Sequence, residues 1–171
     1  MSFASLILAL VTLQRLGELV LARRNTARLL ARGAIEIGAR HYPLLVSVHA
    51  TWLLALWMWG RDQDVNLAAL SAFVALQGLR AWIIATLGSR WTTRIIVLPG
   101  EPLVVSGPYR YLSHPNYAVV AGEIALLPVV LHLPVLALVF TALNAAVLWI
   151  RIRAEARALS TVRGQLARAA S

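Results

Sequence analysis

Long uncharged runs separated by short arginine-rich connections dominate the pattern of this chain. A helix needs about 20 apolar residues to cross a bilayer core of about 30 Å. The pattern therefore predicts spans over residues 3–22, 41–59 and 66–88, the third interrupted only by Arg80. Two further spans share residues 116–150, with a turn at Pro134. At about sixteen residues each, or roughly 24 Å, these two would form a short, tight hairpin.

One long helix kinked at Pro128 and Pro134 is the alternative to that hairpin, but it would move the C-terminal arginines to the other side of the membrane. The arginines cluster in three connections: Arg23, Arg24, Arg28, Arg32 and Arg40; Arg90, Arg94 and Arg110; Arg151, Arg153, Arg157, Arg163 and Arg168. With the hairpin, all three clusters fall on one face, and the positive-inside rule places that face in the cytosol.

The predicted fold is an all-α, polytopic membrane helix bundle of about five transmembrane helices. Its N-terminus is expected outside and its C-terminus in the cytosol, in the bacterial inner membrane. Residues 1–171 form a single domain, with a three-helix part (3–88), a second part holding a loop, the hairpin and the last helix (89–159), and a tail (160–171).

Composition agrees with a membrane protein, since 60% of residues are hydrophobic and only 13% are charged, against about 25% charged in soluble domains. All sixteen cations are arginine, for a net charge of +9. Because they lie between apolar runs, membrane topology explains them better than nucleic-acid binding does. The chain has no cysteine, and its four histidines lack ligand spacing, so no metal site is expected. Membrane lipids are the expected surroundings, and the oligomeric state stays open.

Residues 99–117, here called the proline-rich loop, are the most distinctive connection. Four prolines and two glycines impose fixed turns. Tyr109, Tyr117, His114 and Asn116 supply aromatic faces and hydrogen-bonding groups. Pro115 opens a span, so free backbone N–H groups at the helix N-terminus would receive an anionic group. On composition alone, an interfacial loop rich in turn residues is equally consistent.

The last span carries a second polar element. At about 100° per residue, Asn144, Arg151 and Glu155 fall within roughly 40° of one another, and Arg153 and Arg157 lie opposite. The first group could line a pocket. An ordinary Arg–Glu pair at i,i+4, worth a few tenths of a kcal/mol, is the alternative.

Charged residues within the spans need partners, because an unpaired charge there costs a few kcal/mol. Glu123 lies on the same helix face as Asn116, where it either faces a cationic ligand or pairs with Arg80. Arg15 and Glu18 are expected to form an intrahelical pair that extends toward the cytosolic surface.

The sequence GPYRYLSHPNY at 107–117, followed by Asn144 and RIRAE at 151–155, resembles the signature of the isoprenylcysteine carboxyl methyltransferase (ICMT) family and its phospholipid methyltransferase relatives. The likeness covers roughly residues 91–159 and is nearest to a short bacterial five-span branch. Ser113 departs from the basic residue, and Ala156 from the second acid, that the family often has there.

The resemblance implies S-adenosylmethionine as cofactor and the proline-rich loop as much of its pocket. The implied cofactor-binding residues are Gly107, Tyr109, His114, Pro115, Asn116, Tyr117, Asn144 and Glu155. Arg151 is the candidate catalytic residue, because its planar guanidinium can orient an anionic acceptor. Arg80, Glu123 and Arg110 are candidates for the substrate side.

The expected function is O-methylation of a lipophilic carboxylate or acidic enol, isoprenylcysteine-like or alkylpyrone-like, at the cytosolic membrane face. N-methylation of a phospholipid is one alternative. A small transporter or a structural membrane protein, with no enzymatic activity, is another.

Overall fold

The computed structural model describes residues 2–169, with side chains described for residues 2–39 and 41–153. Within that part the helices and strands are α1 (Phe3–Ala31), β1 (Ile35–Ile37), α2 (Tyr42–Gly60), α3 (Leu67–Leu87), β2 (Ile95–Val97), α4 (Pro115–Val130) and α5 (Pro134–Ala169). Short 3₁₀ turns occupy Ala39–His41, Gly88–Arg90 and Gly107–Arg110.

Helices α1, α2, α3 and α5 are long and apolar enough to cross a membrane, and α4 is a shorter apolar helix. The expected all-α, polytopic bundle is confirmed. Helix α1 runs past the predicted boundary at residue 22 because its arginine-rich continuation consists of good helix formers. It ends at Ala31, ahead of Gly33, whose φ of 88° breaks the helical path.

The hairpin between α4 and α5 is also confirmed, and the single kinked helix is wrong. The chain turns between Val130 and Pro134, with His132 at a φ of 56° and the Leu133 N–H donating to the Pro128 carbonyl at 2.8 Å. Helix α4 has the expected 16 residues. Helix α5 has 36 residues, of which Pro134–Arg153 are long and apolar enough to cross a membrane. It continues past that span, as the predicted helix face of Asn144, Arg151 and Glu155 requires, because no proline follows Pro134 and the arginines and alanines sustain the helix.

The two ends of the bundle differ in character. At one end, the Ser5 hydroxyl donates to the Arg61 carbonyl at 2.9 Å, and the Asn66 N–H donates to the Val130 carbonyl at 2.8 Å. The N-terminus, the α2–α3 connection and the hairpin turn thus meet there. At the other end, here called the sheet end, β1 and β2 pair antiparallel with Ile35 opposite Val97. No strand was predicted from the sequence.

The main core lies between the spans and is formed by Leu8, Trp52, Leu56, Ile124 and Leu127, each 1% exposed or less. A smaller cluster at the sheet end contains Ala22, Ile83, Trp91 and Val119. Buried Asn25 ties this cluster to the backbone, since its side-chain amide donates to the Trp91 carbonyl at 2.8 Å and to the Gly88 carbonyl at 3.2 Å. The segment that leaves α3 is thereby held against α1.

Candidate active site

A cavity of about 570 Å³ opens at the sheet end. Its walls are the ends of α1 and α3, residues 90–105, the proline-rich loop and one residue of α5. Pockets for small ligands and cofactors measure about 300–1,000 Å³. The cavity therefore has the size that a cofactor-binding site requires.

Five residues that the sequence singled out line this cavity: Tyr109, His114, Asn116, Tyr117 and Arg151. Two segments that are far apart in the sequence, the proline-rich loop and the last helix, thus contribute to one wall. Gly107, Pro115, Asn144 and Arg110 do not line it, and the side chain of Glu155 lies outside the described residues.

The start of α4 shapes the loop side of the cavity. Pro115 is buried and occupies the first helical turn, where its missing N–H costs nothing. The His114 carbonyl accepts from the N–H groups of Tyr117 and Ala118 at 3.1 and 3.2 Å. The rings of His114 and Tyr117 stack with centroids 5.2 Å apart and an interplanar angle of 14°. This arrangement fixes an aromatic surface beside the helix N-terminus.

Gly107 contributes to the shape of the loop without touching the cavity. Its φ of 57° lies in the left-handed region, and a Cβ there would sit 2.5 Å from the Thr86 hydroxyl. Only glycine satisfies both conditions without strain. Gly107 thus allows the loop to pack closely on α3, and its expected contact with the cofactor stays a prediction.

Arg151 is 7% exposed and is held by two groups. Its Nη1 donates to the Thr93 carbonyl at 2.9 Å, and its Cζ lies 5.6 Å from the Tyr117 ring centroid. Its buried Nε has no hydrogen-bond partner among the described residues. The arginine is thus oriented by the protein yet retains a free donor.

Two asparagines also retain free acceptors. Asn116 Oδ1 and Asn144 Oδ1 are buried and have no hydrogen-bond partner within the described part of the chain. Asn144 is 1% exposed and lies two turns before Arg151 on α5. Because buried polar atoms are normally hydrogen-bonded, an unpaired one beside a cavity is a candidate contact for a ligand or an ordered water. Asn116 meets that condition at the cavity wall.

Arg90 and Arg94 line the cavity together with Arg151. From the sequence they were predicted only to lie on the cytosolic face of the membrane. The signal that could have identified them is the β-branched stretch TTRIIV at 92–97, which is typical of a strand. Such a strand brings Arg94, within it, and Arg90, just before it, to one end of the bundle. With Glu101, the charged cavity residues number three cations and one anion, a balance of +2.

The cavity arginines differ in how fully they are engaged. Arg94 Nη1 donates to both carboxylate oxygens of Glu36 at 2.9 and 2.8 Å, and these hydrogen bonds raise the pKa of Arg94. Glu101 accepts from Arg90 and Arg32. Desolvation opposes ionisation of Glu101, but the hydrogen bonds from those arginines outweigh it and lower the pKa of the carboxyl.

Arg80 and Glu123 lie among the spans and do not line the cavity. Arg80 Nε donates to Glu123 Oε1 at 2.8 Å and Arg80 Nη1 donates to Glu18 Oε2 at 3.1 Å. Of the two environments considered for Glu123, the pair with Arg80 is the one that forms. Exposed Arg110 also lies outside the cavity wall, so the substrate-side role of these three residues stays a prediction.

The Arg15–Glu18 pair forms within α1 at 2.8 Å, but it does not stand alone. Arg15 Nη2 reaches Glu123 Oε2 at 2.8 Å, so both acids and both arginines join one network. The expected intrahelical pair is therefore confirmed, whereas its expected extension toward the surface is wrong, because Arg15 also pairs with buried Glu123. The network connects α1, α3 and α4.

Comparison with known proteins identifies the family of this chain. The chain is similar to "Uncharacterized protein YpbQ" of Bacillus subtilis (strain 168), with 38% identity over 90% of this chain and 95% of the relative. An "Uncharacterized protein" of Haemophilus influenzae is 26% identical over 94% of this chain and 96% of its own. No solved structure matches the chain. The model of the isoprenylcysteine carboxyl methyltransferase (ICMT) family matches residues 67–161, more than half of the chain and nearly all of the cavity wall. This chain therefore belongs to the ICMT family of membrane methyltransferases.

Proposed function

We propose that the protein is an S-adenosylmethionine-dependent O-methyltransferase whose acceptor is a lipophilic carboxylate or acidic enol. One observation carries this proposal. The cavity combines a charge balance of +2, an extended apolar wall and free buried hydrogen-bonding atoms on Asn116 and Arg151. That combination suits an anionic head joined to an apolar body.

The residues at the loop side fit the cofactor. When bound, S-adenosylmethionine supplies a methyl group on a positively charged sulfur. The faces of Tyr109 and Tyr117 attract cations, a contact worth about 0.5–2 kcal/mol. Asn116 Oδ1 is a free acceptor for an amino group. The N-terminus of α4, which begins at Pro115, favours a carboxylate.

The acceptor side follows from the chemistry of the nucleophile. A carboxylic acid with a pKa of about 4 is already ionised at neutral pH, so no general base is needed. The tasks left to the protein are to orient the anion and to exclude water. Arg151 supplies the orienting cation, and Ile95, Ile96 and Leu103 supply apolar surface for the hydrocarbon part.

N-methylation of a phospholipid is less well supported. An ammonium group must lose a proton before it can accept a methyl group, and a cationic wall opposes its approach. Glu101, the one carboxylate among the cavity residues, already accepts from Arg32 and Arg90. A transporter is likewise less well supported, because the charges within the spans neutralise one another through Arg80 and Glu123.

Cofactor binding is the first test. Calorimetry with S-adenosylhomocysteine in detergent should give binding to the wild type and an affinity about tenfold weaker for Asn116→Ala. Since Asn116 Oδ1 has no partner among the described residues, this variant sacrifices no bond at that atom in the free protein. Gln63→Ala, in the α2–α3 connection at the opposite end, is the control and should bind normally. Absence of binding to the wild type would refute the proposal.

The acceptor class is the second test. Transfer of a labelled methyl group should be seen with a long-chain carboxylic acid or an alkylpyrone and not with phosphatidylethanolamine. Arg151→Lys should lose most of the transfer, because an ammonium group cannot present the paired, planar donors of a guanidinium. Transfer to the amine lipid alone would refute O-methylation while leaving cofactor binding intact.

The sheet end is proposed to face the cytosol of the bacterial inner membrane, with the N-terminus outside. The chain has no cysteine, so single cysteines report cleanly. Tyr111→Cys, at an exposed position of the proline-rich loop, should resist an impermeant maleimide in intact spheroplasts. Gln63→Cys should react. The reverse pattern would overturn the orientation.

A further inference from the structure

The connection between α1 and α2, together with the first residue of α2, contacts the segment that precedes β2. The Tyr42 hydroxyl lies 3.1 Å from the Thr93 hydroxyl, and the Arg94 Cζ lies 4.6 Å from the Tyr42 ring centroid. Glu36 holds the same arginine by two hydrogen bonds. These contacts attach residues 92–94 to residues 36–42, which lie before the family match at residues 67–161.

Thr93 has contacts on two sides. Its hydroxyl meets Tyr42, and its carbonyl accepts the hydrogen bond from Arg151 Nη1 at 2.9 Å. The position of the Arg151 guanidinium therefore depends on the position of the Thr93 backbone. Tyr42 is not among the residues that line the large cavity. With Arg94 and Arg151 it lines a separate space of about 10 Å³, which is enough for about one water and too small for an acceptor.

We infer that Tyr42 is a positioning residue for Arg151, acting through Thr93. This inference rests on the proposed function, in which Arg151 orients the anionic acceptor. Functional groups must be held within about 0.5 Å of their productive position, and residues behind them supply that precision. Without the Tyr42 hydroxyl, the Thr93 side chain loses its hydrogen bond. The Thr93 carbonyl, which accepts from Arg151, is then held less firmly in place.

Tyr42→Phe tests the inference because it removes the hydroxyl and keeps the ring beneath Arg94. We expect kcat/KM for the acceptor to fall about tenfold, the effect of losing one hydrogen bond. The affinity for S-adenosylhomocysteine should change less than twofold, since the aromatic and asparagine contacts remain. Tyr111→Phe is the matched control. Tyr111 lies in the proline-rich loop at the same end of the bundle and is 74% exposed, so this variant should resemble the wild type.

A double-variant cycle separates positioning from general stabilisation. Thr93→Val removes the other hydroxyl of the same contact, so it should show the same loss as Tyr42→Phe. The double variant should be no worse than either single variant, because all three lack one shared interaction. Thr93→Ser keeps a hydroxyl and should restore acceptor kinetics. Additive losses, or losses confined to thermal stability, would overturn the inference.

A binding measurement keeps the inference distinguishable from the proposed function. Dodecanoate affinity should fall about tenfold in Tyr42→Phe, whereas dodecanol affinity should not change, because only the anion depends on Arg151. A wild type that binds dodecanoate but transfers no methyl group would refute the proposed function alone. Dodecanoate affinity that is unchanged in Tyr42→Phe would overturn the positioning role, whatever the catalytic outcome.

Discussion

Replacing Glu123 by leucine tests how the bundle tolerates charge among its spans. The Glu123 carboxylate accepts from Gln77 Nε2 at 2.7 Å and from Arg80 Nε at 2.8 Å, and it pairs with Arg15 Nη2 at 2.8 Å. It is 1% exposed. The network of two arginines and the two acids Glu18 and Glu123 is neutral, and the substitution leaves it with a charge of +1.

The magnitude follows from that imbalance. Removing one partner of a buried ion pair costs about 3–5 kcal/mol, because the remaining charge stays in a low-dielectric site. Replacing both partners, as in Arg80→Met with Glu123→Leu, leaves Arg15 and Glu18 paired at 2.8 Å and restores neutrality. The free energy of unfolding of the double variant should lie within about 1 kcal/mol of the wild type. The coupling energy between the two sites is then at least about 2 kcal/mol.

Unfolding by SDS in mixed micelles, followed by fluorescence of the six tryptophans, measures these differences. Asp62→Asn is the control. Its pair with Arg61 spans 3.0 Å but is largely exposed, so its loss should cost less than about 1 kcal/mol. A Glu123→Leu single variant as stable as the wild type would refute the reasoning. A double variant as unstable as that single variant would refute it equally.

Three further perturbations test the sheet end. Gly107→Ala should destabilise by about 1–2 kcal/mol through left-handed backbone strain and contact with Thr86, measured by thermal melting. Asn25→Leu should cost about 1–3 kcal/mol, since the buried Trp91 carbonyl loses its donor. The pKa of Glu101 is lowered on folding, so its contribution is present above the ordinary pKa and is lost as pH falls through the folded value. Protection from hydrogen exchange around Glu101, corrected for the intrinsic exchange rate at each pH, should therefore decrease below about pH 4.

Each of these has a matched control and a contrary outcome. Gly100→Ala introduces similar strain, at a φ of 83°, into open space, so an equal loss would contradict the packing argument for Gly107. Arg24→Leu, at an exposed position beside Asn25 in sequence, should change stability by less than about 0.5 kcal/mol. Protection that does not change with pH in the wild type would contradict the role of the Glu101 pairs with Arg32 and Arg90. The same decrease of protection at low pH in Glu101→Gln would contradict it as well.

The spans could be predicted because their length and lack of charge are direct physical requirements of a bilayer. The strands could not, because Ile35–Ile37 and Ile95–Val97 have only three residues each. Such short segments have no independent stability, and each depends on a partner roughly 60 residues away. The continuation of α5 beyond residue 150 was expected, because Arg151 and Glu155 belong to its predicted helix face, whereas its full extent to Ala169 was not predicted.

The sequence indicated what kind of site to expect, but it identified only some of the residues that line the cavity. Tyr109, His114 and Asn116 stand together in a loop of unusual composition, and Arg151 belongs to a helix face that the sequence defines. Tyr42 gave no such signal, because its role depends on a hydroxyl contact 51 residues away in sequence. The close packing of Gly107 against Thr86 was not predicted, since sequence alone cannot distinguish a glycine needed for packing from one needed for ligand approach.

Two groups of charges in this molecule support the placement of the active site by their contrast. Among the spans, Glu18 and Glu123 balance Arg15 and Arg80, and every one of these four side chains has a partner. The charges of this network balance without a ligand, although the buried Arg15 Nε has no hydrogen-bond partner among the described residues, and the network connects helices that carry the site. The cavity at the sheet end retains an excess of two positive charges, with free atoms on Asn116, at its wall, and on Asn144, two turns before Arg151. Since uncompensated charge and unpaired buried atoms are costly, we expect a bound anion and its polar neighbours to complete those at the cavity.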